Sequence, residues 1–400
     1  MMRATRTALT AALFFVLSIS TAEAACKTSG SFNGWLKQFK ADAAAQGVSR
    51  RTINAALNGV TYDKRVIGYD RRQTVFSQSF LKFSGRMVNK SRLSRGRAKM
   101  KKHASTFKRI EQKYGVPAPV ITAFWGLETD FGAVQGNFST IRSLATLAYD
   151  CRRPELFRPQ LVDALRIVER GDLRLEDMVG AWAGELGQTQ FLPSDYMETA
   201  VDFDGDGRRD LKNSAADALA SGAALMRSFG WQRGQPWLQE VRLTRSLPWA
   251  EADLAISHPR SQWAKWGVTR ANGKGLRKDR LPAALLLPMG RNGPAFLAYD
   301  NFRRVYLKWN ESLLYSTTAA YFATRLAGAA PAHRGSAQGT ALELAEIKQL
   351  QSALQRRGFD VGKIDGIIGA GTRKATKAMQ IKFGLPADSW PTRELLRQLR

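Results

Sequence analysis

A mainly α-helical chain with a small helical unit at its C-terminal end is the fold class this sequence predicts, on three observations. Residues from about Phe32 to Leu326 read as helical stretches separated by Gly and Pro, with few of the apolar-polar alternations that mark strands. The run from Gly328 to Thr340 is small, polar and without periodicity, which is linker composition. Beyond it, Leu342 to Arg400 has the pattern of a three-helix unit. At 400 residues the chain is too long for one ordinary domain, and 44% hydrophobic with 24% charged residues excludes a disordered one. The expected organisation is a signal peptide over 1–25, a main domain over 26–327, a flexible linker over 328–341 and a small domain over 342–400.

Taken in order, Arg3 and Arg6 precede an apolar stretch from Ala8 to Ile19, and Ala22-Glu-Ala-Ala25 is a small-residue cleavage pattern. That is a secretory signal peptide, too short to span a bilayer, so a periplasmic or exported location is expected. Glu23 stands three residues before Cys26, where a lipidation signal carries an apolar side chain. A soluble product is therefore preferred to a peripheral or lipid-anchored one. Cys151 is the second of two cysteines, and in an oxidising compartment a Cys26–Cys151 disulfide is expected before a metal site, which needs more ligands.

The net charge of +27 demands something acidic outside the cytoplasm, such as cell wall or membrane. From Arg71 to Lys113, 14 basic residues face one acid, Glu111. Phe80, Phe83 and Met87 recur there at helical spacing, so the run reads as the solvated face of buried helices rather than as a dedicated binding patch. Breaks are expected at Tyr114-Gly-Val-Pro117, at Gly230 and over Pro282 to Pro294. In the last unit Ile347, Leu350 and Leu354 share a face, and a second helix begins near Thr372 and a third after Pro391.

The sharpest chemical signal is Val120-Ile-Thr-Ala-Phe-Trp-Gly-Leu-Glu128, a carboxyl group ending an almost wholly apolar run. Desolvation there favours the neutral form, which a general acid needs; the bland reading is a Glu that caps a helix or pairs with Arg. Gly184-Glu-Leu-Gly187-Gln-Thr-Gln190-Phe191-Leu-Pro-Ser194 is a Gly- and amide-rich turn that lets backbone approach a ligand and offers amides to sugar hydroxyls. Among ten Trp, Trp182, Trp263, Trp266 and Trp309 suit stacking on sugar faces, although most Trp are expected in cores.

The order of Trp125-Gly-Leu-Glu128-Thr-Asp-Phe-Gly132, the Gly184–Ser194 turn, Ala200-Val-Asp-Phe-Asp-Gly-Asp-Gly207 and Trp309-Asn310 resembles the membrane-bound lytic murein transglycosylase B family. The resemblance implies a lysozyme-like (α+β) catalytic domain with helical extensions. It implies cleavage between N-acetylmuramic acid and N-acetylglucosamine without water, leaving 1,6-anhydro ends, with Glu128 as acid and then base. An ordinary glycosidase needs a second carboxylate; here the substrate's own C6 hydroxyl attacks, so one suffices. Asp130, two residues on, would point away from Glu128 if the helix continued. The family pattern places Gln190 and Phe191 at the sugars, Trp309, Asn310 and Tyr315 on the other side of the cleft, and Arg152 and Arg153 as a clamp for stem-peptide carboxylates. Ala181 departs from the family, where Ser is usual.

Asp202-Phe-Asp204-Gly-Asp206-Gly207 has the alternating ligands of a calcium loop, with Arg208 in the set and Asp217 as the late carboxylate. The family resemblance includes such a site. Asn213 stands at the twelfth position instead of the usual Glu, and the bland reading is a metal-free turn. No cofactor is needed for the chemistry itself, and calcium is the one structural ion expected. The C-terminal Asp365-Gly-Ile-Ile-Gly369-Ala-Gly-Thr372 and Gln380 resemble a small peptidoglycan-binding domain, although Thr372 and Asp365 also suit a cap and a turn. Peptidoglycan is thus the expected partner of a monomer, with no nucleic acid. The alternatives are a water-using muramidase, a wall-binding protein without activity, and an extracytoplasmic DNA binder, whose affinity would fall steeply with salt.

Overall fold

The helix Ala118–Thr129 is the axis of the main domain in the computed structural model, which describes residues 30–71, 78–336 and 342–400. Pro117 and Pro119 start it, since a proline in the first turn lacks only an N–H that no helical carbonyl would have accepted. Every residue from Val120 to Gly126 is buried, as an all-apolar helix requires. Gly126 lets its neighbours close in: a Cβ there would lie 2.7 Å from Phe131 and 3.0 Å from Phe322.

Around this helix, packed against Lys90–Lys102, Ala215–Ser228 and Leu313–Leu326, one core gathers Phe124, Trp125, Tyr306, Tyr315 and Phe322. A second core gathers Leu144, Leu165, Leu186, Phe191 and Tyr196 around the paired helices Thr140–Tyr149 and Pro154–Glu169. Trp309 and Phe229 pack against both cores, which makes their junction the place where a groove can open. The basic run behaves as its spacing predicts, for Phe80 and Phe83 are buried while Lys90, Lys101, Lys102 and Lys108 face solvent.

The expectation of few strands needs correction. β1 (Phe138–Ser139) and β2 (Val179–Gly180) form a small antiparallel pair. A five-stranded antiparallel sheet is built from β3 (Leu238–Leu243), β4 (His258–Pro259), β5 (Val268–Arg270), β6 (Pro282–Leu286) and β7 (Ala295–Ala298) in the order β4-β6-β7-β3-β5. Leu297 of β7 stands opposite Leu285 on one side and Gln239 on the other. β7 is buried throughout and β6 beyond its first residue, so neither shows the alternation by which strands are read. Pro282, taken as a break, opens β6, a position where a strand tolerates proline.

The last unit is the expected three-helix domain, with helices Leu344–Gln355, Ala370–Lys382 and Arg393–Gln398 around Leu350, Leu354, Met379 and Leu395. Thr372 is no cap: Gly369 holds that position, and the buried Thr372 hydroxyl accepts from Gln351 Nε2 at 3.3 Å. The domain rests directly on loops beside the sheet. Arg373 donates to the Leu287 carbonyl at 3.0 Å, Lys377 pairs with Asp253 at 2.8 Å, and Asp388 accepts the Arg291 N–H at 2.9 Å. The linker is partly tied down as well, through His333 N–H to Glu240 at 2.6 Å and Ser336 N–H to the Asn292 carbonyl at 2.8 Å.

Cys151 is disulfide-bonded, while Cys26 and the expected signal peptide lie outside the described residues. Among the described residues no helix is long and apolar enough to cross a membrane.

Candidate active site

Glu128 sits at the last turn of the central helix, where the backbone reverses. Asp130, Phe131 and Gly132 follow in left-handed conformations, and Gln190, which faces the same groove, adopts one too. Strain of this kind in non-glycine residues persists only where surrounding structure enforces it. The reversal carries the next carboxylate off: Asp130 binds Arg92 at 3.1 Å and Arg95 at 2.5 Å. Asp130 is thus removed from the groove, because the helix ends rather than because it continues.

A cavity of about 500 Å³ opens beside Glu128. Its walls include Ala181, Trp182, Glu185, Gln190, Phe191 and Asp195 on one side, and Lys308, Trp309 and Asn310 on the other. Trp309 Nε1 donates to Glu128 Oε1 at 3.0 Å, and the Tyr315 hydroxyl donates to the same oxygen. Burial pushes the Glu128 carboxyl up to about 7; the two donors, which favour the carboxylate, oppose the rise, and Glu185 adds to it only when it is itself ionised. An acid so poised is half protonated near neutrality and can give a proton and take one back.

Most of the residues read from the sequence meet here. Gln190 lines the groove while its Nε2 donates to the Gly187 carbonyl at 2.9 Å, so the side chain is pre-positioned. Phe191 lines the groove but is almost fully buried, its ring 6.0 Å from the Trp309 ring. Trp182 also lines the groove and stacks on exposed Tyr69 at 6.3 Å, whereas Trp263 is wholly buried under the sheet. Tyr315, expected as a cleft wall, instead stands behind Glu128 as its donor, only 8% exposed.

Arg152 and Arg153 are not among the groove's lining residues. Both guanidinium groups bind Asp70, Arg152 at 2.5 Å, so the expected clamp is already committed to a buried carboxylate within the chain. Asp70 is one of three residues that sequence reasoning passed over. Glu185 was visible only as a member of a Gly-rich turn, and its burial carried no sequence signal. Gln188, named there only as an amide, fastens the groove from behind by accepting Trp125 Nε1 at 3.0 Å and donating to the Lys212 carbonyl at 3.1 Å.

The calcium loop gathers only part of its expected set. Carboxylate oxygens of Asp202, Asp204 and Asp217 lie within 4.8 Å of one another, whereas Asp206 turns to Arg208 at 3.5 Å. Among the described residues no cationic side chain pairs with any of the three. Burial pushes the Asp217 carboxyl up, and the charge of Asp204 adds to the rise. An uncompensated carboxylate cluster of this kind fits a hard cation.

Residues 31–324 match the family model described as the transglycosylase SLT domain. This chain belongs to that family. Residues 343–399 match the peptidoglycan binding domain family. Membrane-bound lytic murein transglycosylase B of Escherichia coli strain K12 is 31% identical over 239 residues, covering 60% of this chain and 64% of that relative. The chain therefore spans just under two thirds of that relative's length. SltB3 of Pseudomonas aeruginosa, solved in complex with NAG-anhNAM-pentapeptide, superimposes with a TM-score of 0.85 at 41% identity, over 92% of this chain and 99% of that one. The Escherichia coli lytic transglycosylase SLT35 in complex with calcium gives 0.62 at 25% identity, over 73% and 92%. Against these family members the lysozyme-like fold class read from the sequence holds, with the sheet as its β component.

Proposed function

We propose that this chain is a peptidoglycan lytic transglycosylase that cleaves the β-1,4 bond from N-acetylmuramic acid to N-acetylglucosamine without water. The observation that carries the reading is Glu128, a single acid near neutral pKa at the floor of a sugar-sized groove. Protonated Glu128 gives its proton to the glycosidic oxygen as the bond to the muramic C1 breaks. The C6 hydroxyl then attacks C1, and its proton returns to Glu128. The atoms balance with no water consumed, and Glu128 ends as it began. Trp309 and Tyr315 stabilise the carboxylate between the two transfers.

Trp182 and Trp309 offer apolar faces to sugar rings above the buried Phe191, and Gln190 and Asn310 offer amides to hydroxyl groups. The SltB3 ligand, an anhydro-muramic peptide, supports the same product for this chain. The C-terminal domain would hold the enzyme on wall material and raise substrate concentration at the groove. Asp202, Asp204 and Asp217 would hold calcium as a structural ion that braces the loop after Ala200, away from the chemistry. A wall substrate carries with it a location outside the cytoplasmic membrane, in keeping with residues 1–25. Mass spectrometry of muropeptides released from purified sacculi tests the reading: anhydro ends, lighter by one water, are expected, and reducing ends alone would make the enzyme a hydrolase.

A further inference from the structure

Of the three carboxyl groups lining the groove, the mechanism uses Glu128 and leaves Glu185 and Asp195 without work. The Glu185 backbone is fixed, since its carbonyl accepts the Ala181 N–H at 3.0 Å and a Cβ on Gly180 would lie 1.9 Å from that oxygen. The turn has no room to shift and withdraw the side chain. Glu185 Oε2 is buried with no hydrogen-bond partner. Asp195, by contrast, has no buried oxygen left without a partner, and Asp130 is held by two guanidinium groups.

A buried carboxylate with an empty oxygen costs more than the neutral acid. Burial accordingly pushes Glu185 up, against the weaker pull of the Ala183 and Glu185 amides and of Arg153. As a neutral acid it carries an O–H donor. It also cannot take a proton from water, which sets it apart from the second carboxylate of an inverting glycosidase. Amino sugars differ from plain hexoses by an acetamido group whose carbonyl oxygen is a strong acceptor.

We propose that Glu185 is a substrate-contacting specificity residue whose protonated carboxyl donates a hydrogen bond to the acetamido carbonyl oxygen of a sugar beside the scissile bond. The assignment rests on the transglycosylase reading of the groove. No bond to the sugar is made or broken at Glu185.

The charged and titratable groups around Glu185 are Glu128, Asp195 and Lys308, which line the same groove, and Arg153, whose charge reaches it. The test uses the full chain carrying Glu128→Gln, so that Glu185 and Asp195 are the carboxyl groups left in the lining of the groove. Binding of the N-acetylglucosamine tetramer is followed by calorimetry in buffers of different ionisation enthalpy between about pH 5 and 9. Proton uptake that grows with pH and disappears when Glu185→Gln is added is the expected result. No uptake at any pH, or uptake that survives the second substitution, overturns the assignment.

In the otherwise natural chain, Glu185→Ala is expected to slow release of anhydro muropeptides about 10- to 100-fold at limiting substrate, by leaving the sugar carbonyl unpaired. Glu185→Gln, which keeps a donor, is expected to recover about fivefold or more of that loss. An alanine variant as fast as the natural chain overturns the assignment. A natural chain that releases no anhydro ends sinks the transglycosylase reading instead, whatever the variants at Glu185 do.

Discussion

Trp309 Nε1 lies 3.0 Å from Oε1 of Glu128, a hydrogen bond between residues 181 positions apart. With the Tyr315 hydroxyl on the same oxygen, two donors favour the carboxylate while burial favours the acid. Neither donor reaches Oε2, so a substrate oxygen has that atom to meet. The balance decides the chemistry: without burial the group would be ionised before the sugar arrives, and without the donors it would be too weak an acid.

Glu128→Gln is expected to abolish release of anhydro muropeptides from sacculi, by about a thousandfold or more, because general acid and general base are lost together. Far-ultraviolet circular dichroism and the melting temperature should show an intact fold. Retention of more than a tenth of the natural rate would remove Glu128 from the mechanism.

The same substitution has a stability signature with a fixed sign. The folded chain raises this carboxyl from its ordinary 4.5 to about 7, so the folded state binds the proton more tightly than the unfolded state. Stability from this group is therefore complete below about pH 4.5 and is lost as pH rises to about 7, a change of about 3 kcal/mol. Glu128→Gln, which stays neutral, should be more stable than the natural chain at pH 8 by an amount that shrinks toward pH 4. Melting curves of both proteins across that range measure it, and a difference independent of pH would contradict the burial of the acid.

Tyr315→Phe removes a donor that favours the carboxylate, so the Glu128 carboxyl should rise further. The alkaline limb of the rate against pH should move up by about one pH unit. A shift in the opposite direction would mean that the hydroxyl accepts from Glu128 rather than donates to it.

Gly136 has a left-handed φ of 95°, and a Cβ there would lie 2.0 Å from the Gly180 carbonyl oxygen. Gly136→Ala should cost about 3 kcal/mol and separate β1 from β2, the pair that carries the chain into the Gly184–Ser194 turn. Reduced activity together with a lowered melting temperature is expected, and an unchanged melting temperature would show that the pair has room to yield.

Excess calcium should raise the melting temperature of chelator-treated protein, since an ion bound only by the folded state stabilises it by about 2.7 kcal/mol at a hundredfold excess over Kd. Asp202→Asn should remove the response while leaving the groove intact, because Asp202 is exposed and is not among the residues that line the groove. A response equal in both proteins would move the ion elsewhere.

Glu128 and the Gly184–Ser194 turn were legible because a lone acid in an apolar helix and a Gly-rich amide turn are local patterns. The three-helix tail was legible for the same reason. β6 and β7 were not, since strands buried on both faces carry no alternation, and a proline at the start of β6 imitates a break. Arg152 and Arg153 were visible as a pair, but Asp70, which binds both, is 82 and 83 residues away in the chain. Tyr315 was read as a wall and Glu185 passed over because burial and orientation depend on which segments meet, and no local pattern records that.

The distance along the chain from the acid to its donors also sets when the groove becomes dangerous. A ribosome delivers Glu128 first and must add 187 residues before Tyr315 exists. Until then the carboxyl lacks both of its donors, and the groove lacks the wall formed by Lys308, Trp309 and Asn310. A chain that stops short of Trp309 therefore carries the acid without either of the donors that set its strength.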